Sequence, residues 1–204
     1  MDISYLFYLS SGLFLGWSLG ANDASNIFGT AVGSKMVRFT TIALISSFFV
    51  ILGAVYGGAG TSKTLGTLGA VNALAGAFMV ALSAALSVYS MARTGLSVSS
   101  SQAVVGAIIG WNLYAGKPTD LETLARICST WTICPLLSGI VAVILYFIFK
   151  RLLKYSHIHL LMQDQITRIG LVVTAAISAY ALGANNIANA VGMFVESCPF
   201  KPLK

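Results

Sequence analysis

An all-α integral membrane protein with broken or re-entrant helices is the fold class this sequence predicts, and three observations predict it. The 204-residue chain is 57% hydrophobic and 9% charged, with a mean hydropathy of +0.85. Soluble domains carry about a quarter charged residues. The apolar runs are long and contain many of the 20 glycines, which fits closely packed helices and excludes the short alternating strands of a barrel. A polar heptapeptide also recurs after short apolar runs, as GANDASN at 20–26 and GANNIAN at 183–189. The formal charge of +6 is scattered or held in one loop and forms no basic patch, which excludes a nucleic-acid partner. Cys128, Cys134 and Cys198 have the spacing of neither a disulfide framework nor a zinc site.

The elements follow in chain order. Residues 3–19 lack the basic start of a signal peptide and read as a retained membrane segment, short for a full span. Residues 39–58 form a 20-residue uncharged run, about 30 Å of helix and one bilayer core. Residues 70–91 and 127–149 form two further spans, the second with a kink expected at Pro135. Residues 103–113 and 169–182 are again short. Lipid leaves the backbone of a segment that stops part-way unsatisfied unless protein or a wet cavity covers it. Helix breaks are therefore expected at GANDASN, at GANNIAN and at the serine cluster SVSSSQ, residues 97–102. Gly106 and Gly110 form a GxxxG, expected to pack against another helix. Lys150, Arg151, Lys154 and Arg168 place the 150–168 loop in the cytoplasm of a multi-pass plasma-membrane protein, with the N-terminus outside.

The two heptapeptides align at an offset of 163 residues, with Gly20, Ala21, Asn22, Asn26 and Gly29 matching Gly183, Ala184, Asn185, Asn189 and Gly192. By the charge argument the two runs enter the membrane from opposite faces. That is an inverted repeat, the architecture of a secondary transporter with a midplane site. Residues 1–163 then form the first repeat and residues 164–204 the incomplete start of a second, so a truncated or split protein is expected.

Asp23 is the one acid inside an apolar stretch. An aspartate at a helix centre costs about 2.5–3.5 kcal/mol on insertion scales, which a bound cation offsets. Asp23, Asn26 and Asn186 are the expected coupling-cation residues, with sodium expected at Asp23. An anion needs donors. Asn22, Asn185, Asn189, Ser99, Ser100, Ser101 and Gln102 are the expected anion-binding set, together with backbone N–H groups of new half-helices after Gly20 and Gly183. Against these stand plain structural roles: asparagine and serine often bond a neighbouring membrane helix. No nucleophile–base pair, phosphate-binding loop or metal-ligand set marks an enzyme, and no organic cofactor is implied.

GANDASN, GANNIAN and the intervening TGLSVSSSQAVVGAIIG resemble the inorganic phosphate transporter (PiT) family of cation-coupled symporters. The resemblance implies symport of inorganic phosphate with sodium or protons by a helical protein, often a homodimer. It places Asn22, Asp23, Asn26, Asn185, Asn186 and Asn189 in the site and Ser99–Gln102 at a phosphate-facing hairpin tip. Three positions depart from the family: Ser97 replaces a frequent proline, Gln102 a histidine and Asn186 an aspartate. Sulfate as the substrate, and a non-transporting membrane subunit or remnant that pairs with a missing second half, are the alternative readings.

Overall fold

The computed structural model describes residues 3–68, 74–155 and 159–194, with side chains at 5–58, 74–155 and 159–194. Six helices follow in order: α1 (Ile3–Gly33), α2 (Phe39–Leu68), α3 (Leu74–Arg93), α4 (Ser100–Tyr114), α5 (Leu121–Tyr155) and α6 (Leu160–Val191), closed by the short 3-10 turn Gly192–Phe194. No strand occurs among the described residues. Four segments are long and apolar enough to cross a membrane: Phe39–Gly58, Leu74–Arg93, Leu121–Tyr155 and Leu160–Phe194. The chain is an all-α membrane protein. His157, Cys198 and the start of the expected 70–91 span lie outside the described residues.

The expected breaks at the two heptapeptides do not occur. α1 runs unbroken through GANDASN and α6 through GANNIAN, over 31 and 32 residues. The physical reason is the direction in which the polar side chains point. Asn22 and Asp23 are 5% and 6% exposed, turned into the protein where other groups satisfy them. The helical backbone therefore keeps its own hydrogen bonds and has no need to open. α1 stops later, at Lys35, whose φ of 58° places it in the left-handed region. Lys35 N donates back to Val32 O at 2.9 Å and Val37 N to Ala31 O at 3.2 Å, which satisfies two of the helix's last carbonyls.

α4 keeps the short length read from the sequence. Its 15 residues give about 22 Å, less than a bilayer core of about 30 Å. Residues 96–99 before it are non-helical. Ser99 caps the helix, its hydroxyl accepting from Gln102 N. α5 continues through Pro135, with Ser138 Oγ donating to the carbonyls of Cys134 and Pro135. No residue of α5 is buried, although Leu124, Ile127 and Trp131 pack against the edge of the core. Cys128 and Cys134 on α5 are free thiols. Asp120 precedes α5 and accepts from Glu122 N and Thr123 N; the Thr123 hydroxyl and amide hold its carboxyl below the usual aspartate range.

α1 and α6 cross antiparallel. Gly12 lies against Ala190 and Phe194, Asp23 against Asn186, and Ala31 clusters with Ala175, so partners on α6 fall in number as α1 advances. α2 lies parallel to α6 at backbone contact. A Cβ at Gly53 or Gly183 would overlap the carbonyl of Tyr180 or Val50, and one at Gly57 would sit 2.6 Å from Ala184 Cβ. Gly58 meets Ile187 in the same way. These glycines set the helix separation, because nothing larger than hydrogen fits. On the other side of α1, Ala77, Val80, Ala81, Ala84 and Val88 of α3 pack with Leu15 and Leu19, and with Val104, Val105 and Ile108 of α4.

Candidate functional site

The site is assembled around Asp23 where α1, α6 and the start of α4 meet. Asp23 Oδ2 accepts from Asn186 Nδ2 at 2.8 Å. The Ser100 hydroxyl lies 3.2 and 3.1 Å from Asp23 Oδ1 and Oδ2 and donates to the carboxylate. Asn22 Nδ2 donates to Asp23 Oδ1 at 2.8 Å. Three neutral donors therefore hold one buried carboxylate, and Asp23 makes no ion pair among the described residues. Ser100 is the first residue of α4, so the positive end of that helix also lies beside the carboxylate.

Asn22 has a second task that the sequence did not announce. Its Nδ2 donates to Val98 O at 2.8 Å, and Val98 N donates to its Oδ1 at 3.2 Å. The amide pairs with both backbone groups of Val98 as a neighbouring strand does. That satisfies the backbone of a non-helical turn which no helical ladder serves. The helix start that faces the site is thus α4, held in place by Asn22, and not new half-helices after Gly20 and Gly183. Gly183 instead admits the α2 backbone.

The expected site residues divide. Asn22, Asp23, Ser100 and Asn186 are joined by hydrogen bonds. Asn189 is 2% exposed and its Nδ2 has no partner among the described residues; the same holds for the buried Asn186 Oδ1. An orphaned acceptor beside a carboxylate suits a cation, and an orphaned donor suits an anion. Ser99 is taken up by capping, and Ser101 is half-buried. Asn26 and Asn185 are exposed. Gln102 faces away, into a groove of about 780 Å³ between α3 and α4 lined also by Met79, Ser83, Ser87, Gly106 and Gly110. The GxxxG expected to pack against a helix opens onto that groove: a Cβ at Gly106 or Gly110 meets nothing within 4 Å. Those two glycines and Gln102 repeat every fourth residue on one face of α4, and the α3 helix in contact is sealed higher up, where the Trp111 ring lies over Gly76. No cluster of three or more metal-ligating His, Cys, Asp or Glu side chains occurs among the described residues.

The chain is 33% identical to the sulfate permease CysP of Bacillus subtilis, over 91% of this chain and 52% of that protein. It is 32% identical to the sodium-dependent phosphate transporter 1 of Mus musculus, over 64% of this chain and 21% of that protein. It is 29% identical to the chloroplastic inorganic phosphate transporter 2-1 of Arabidopsis thaliana, over 69% and 26%. The chain spans about half the length of the Bacillus relative and less of the other two. No solved structure matches it. The profile of the phosphate transporter family matches residues 19–198, which include both heptapeptides, the Asn22–Val98 clamp and Ser100. The chain belongs to the phosphate transporter family.

Proposed function

We propose that the chain forms the anion and cation site of a phosphate symporter, coupled through Asp23 to sodium or protons. The observation that carries this reading is the buried Asp23 carboxylate, held by neutral donors only, at the α4 N-terminus. In this state Asp23 is itself the anion that the α4 N-terminus and the Ser100 hydroxyl attract. A phosphate that takes those donors comes within roughly 5 Å of the carboxylate. At an effective dielectric of about 20, that repulsion is about 3 kcal/mol per unit of phosphate charge. The anion therefore binds well only after a proton or a cation has neutralised Asp23. Asn186 Oδ1 supplies a second oxygen for that cation, and Asn189 Nδ2 a donor for the anion.

The antiparallel crossing of α1 and α6 supports reading residues 1–163 and 164–204 as inverted repeats, with α1 entering from outside and α6 from the cytoplasmic 150–168 loop. Sulfate is the second substrate reading, favoured by the identity to the Bacillus sulfate permease.

Purified chain in proteoliposomes, supplied with labelled phosphate or sulfate under an imposed sodium or proton gradient, tests the proposal. Gradient-stimulated phosphate uptake, not competed by sulfate, is the expected result. Competition by sulfate at equal concentration supports the second substrate. A folded chain that neither binds nor moves either anion contradicts both and leaves a non-transporting subunit.

A further inference from the structure

The end of α5 carries charge that the described protein does not answer. Arg126 and Arg168 each face an acid one turn earlier, Glu122 at 3.4 Å and Asp164 at 3.8 Å. Lys150, Arg151 and Lys154 make no ion pair among the described residues, and no Asp or Glu stands three or four places from any of them. Lys150 and Lys154 are themselves four apart, a like-charge spacing that destabilises a helix. Rings of the same helix brace two of the three cations. Lys150 Nζ lies 5.5 Å from the ring centroid of Tyr146, and Arg151 Cζ lies 5.7 Å from that of Tyr155. Such contacts hold a cation and leave its N–H donors for an anion. The helix dipole favours Lys154, which stands in the last turn. Its field falls off within that turn, so Lys150 and Arg151 call for another counter-charge.

The three cations share one face. At about 100° per residue they fall within an arc of about 100°, with Tyr146 and Tyr155 flanking it. Leu136, Ile140, Val143 and Phe147 continue the same arc toward the middle of the helix and are 67%, 59%, 55% and 60% exposed. Residues 127–149 hold no charge, and every residue from 132 to 155 is exposed. The face is thus a strip of apolar side chains that ends in three unpaired cations. α5 meets the buried core only in its first third, through Leu124, Ile127 and Trp131.

We infer that this face of α5 binds an anionic phospholipid, its phosphodiester held by Lys150, Arg151 and Lys154 and its acyl chains lying along Phe147, Val143 and Ile140. A lipid is the occupant because the face joins the two parts of one, charge at the head and apolar surface below. A free phosphate would use the cations and leave the apolar strip uncovered. Arg151 offers a planar fork to two phosphate oxygens, and the two lysines add point charges about 6 Å apart along the axis. The headgroup relieves the Lys150–Lys154 repulsion and seats the part of α5 that the core does not reach. The inference rests on α5 and not on the Asp23 site, so a failure of the phosphate reading leaves it standing.

The test mixes purified chain in detergent with phosphatidylglycerol or phosphatidylcholine of the same acyl chains and counts bound lipids by native mass spectrometry. A cation near an anionic membrane surface is worth about fivefold in affinity, so three set a ceiling on the order of a hundredfold. The chain should prefer phosphatidylglycerol by about tenfold or more. Lys150→Gln/Arg151→Gln/Lys154→Gln should lose that preference, and Lys150→Arg/Lys154→Arg should keep it. Arg38→Gln/Arg93→Gln/Arg126→Gln removes the same charge elsewhere and should also keep it. Equal binding of the two lipids by the native chain, or a preference that survives the triple α5 variant, overturns the inference. So does a preference lost equally in the other triple variant, which would show net charge and no site. Displacement of phosphatidylglycerol by inorganic phosphate at equal concentration would show a free-anion site and overturns it too.

Discussion

Asn186 donates its amide to Asp23 over 2.8 Å, and the two residues stand at matching places of heptapeptides 163 residues apart. The repeat thus closes on itself at one hydrogen bond, and the chemical difference between its two copies, acid against amide, is what makes that bond. Two aspartates there would repel. With Asn186→Ala, Asp23 loses one of three donors in a buried setting. Leaving such a group short of a partner costs about 1–3 kcal/mol. Thermal unfolding in detergent should show that loss at neutral pH, and it should shrink in Asp23→Asn/Asn186→Ala relative to Asp23→Asn alone.

Asn22 and Asn185 should differ although they are repeat mates. Asn22→Ala frees Val98 N and Val98 O and removes one of the two donors at Asp23 Oδ1. Hydrogen exchange at the Val98 amide should accelerate by at least tenfold, a change of about 1.4 kcal/mol in the opening free energy. Asn185→Ala, at an exposed position with no hydrogen-bond partner among the described residues, should leave exchange and stability of the isolated chain unchanged.

The glycine mates should differ in the same way. Gly183→Ala drives a methyl into the Val50 carbonyl, backbone that cannot move without separating α2 from α6. Overpacking of this kind costs about 1–3 kcal/mol or more. Gly20→Ala meets open space and should be neutral or slightly stabilising in the isolated chain, since alanine favours helix over glycine by about 1 kcal/mol. Paired melting curves of the two variants check this.

Lys35 ends α1 in the left-handed region at a φ of 58°. A residue with a Cβ pays about 1 kcal/mol there relative to glycine. Lys35→Gly should raise the unfolding midpoint in detergent, whereas Lys35→Val should lower it.

Much of this was legible from residue order. The spans at 39–58 and 127–149 fall within α2 and α5, the brevity of 103–113 became the 15-residue α4, and the two heptapeptides meet where the site lies. The break expected at the serine cluster stands before α4, while those at the two heptapeptides were misread because hydropathy reports side chains alone. Asn22 and Asp23 lower it locally, yet they turn inward and the backbone stays helical. The Asn22–Val98 clamp was hidden because a valine in the sequence gives no sign that its backbone needs a partner 76 residues away. The glycines at 53, 57 and 58 lie in the 39–58 run, but which of them touch another helix depends on how α2 lies on α6. The GxxxG on α4 carries the same spacing signal and opens onto a groove, so spacing alone did not separate the two cases.

In the proposed function Asp23 couples anion binding to a cation. The direct measurement is phosphate affinity of the purified chain as sodium concentration and pH are varied, for the native protein and for Asp23→Asn. A repulsion of about 3 kcal/mol per unit charge corresponds to roughly a hundredfold change in affinity. The native protein should bind phosphate up to about a hundredfold more tightly once sodium or protons are supplied, and Asp23→Asn should bind it with an affinity indifferent to both. An Asp23→Asn protein that keeps the full cation dependence would contradict the account.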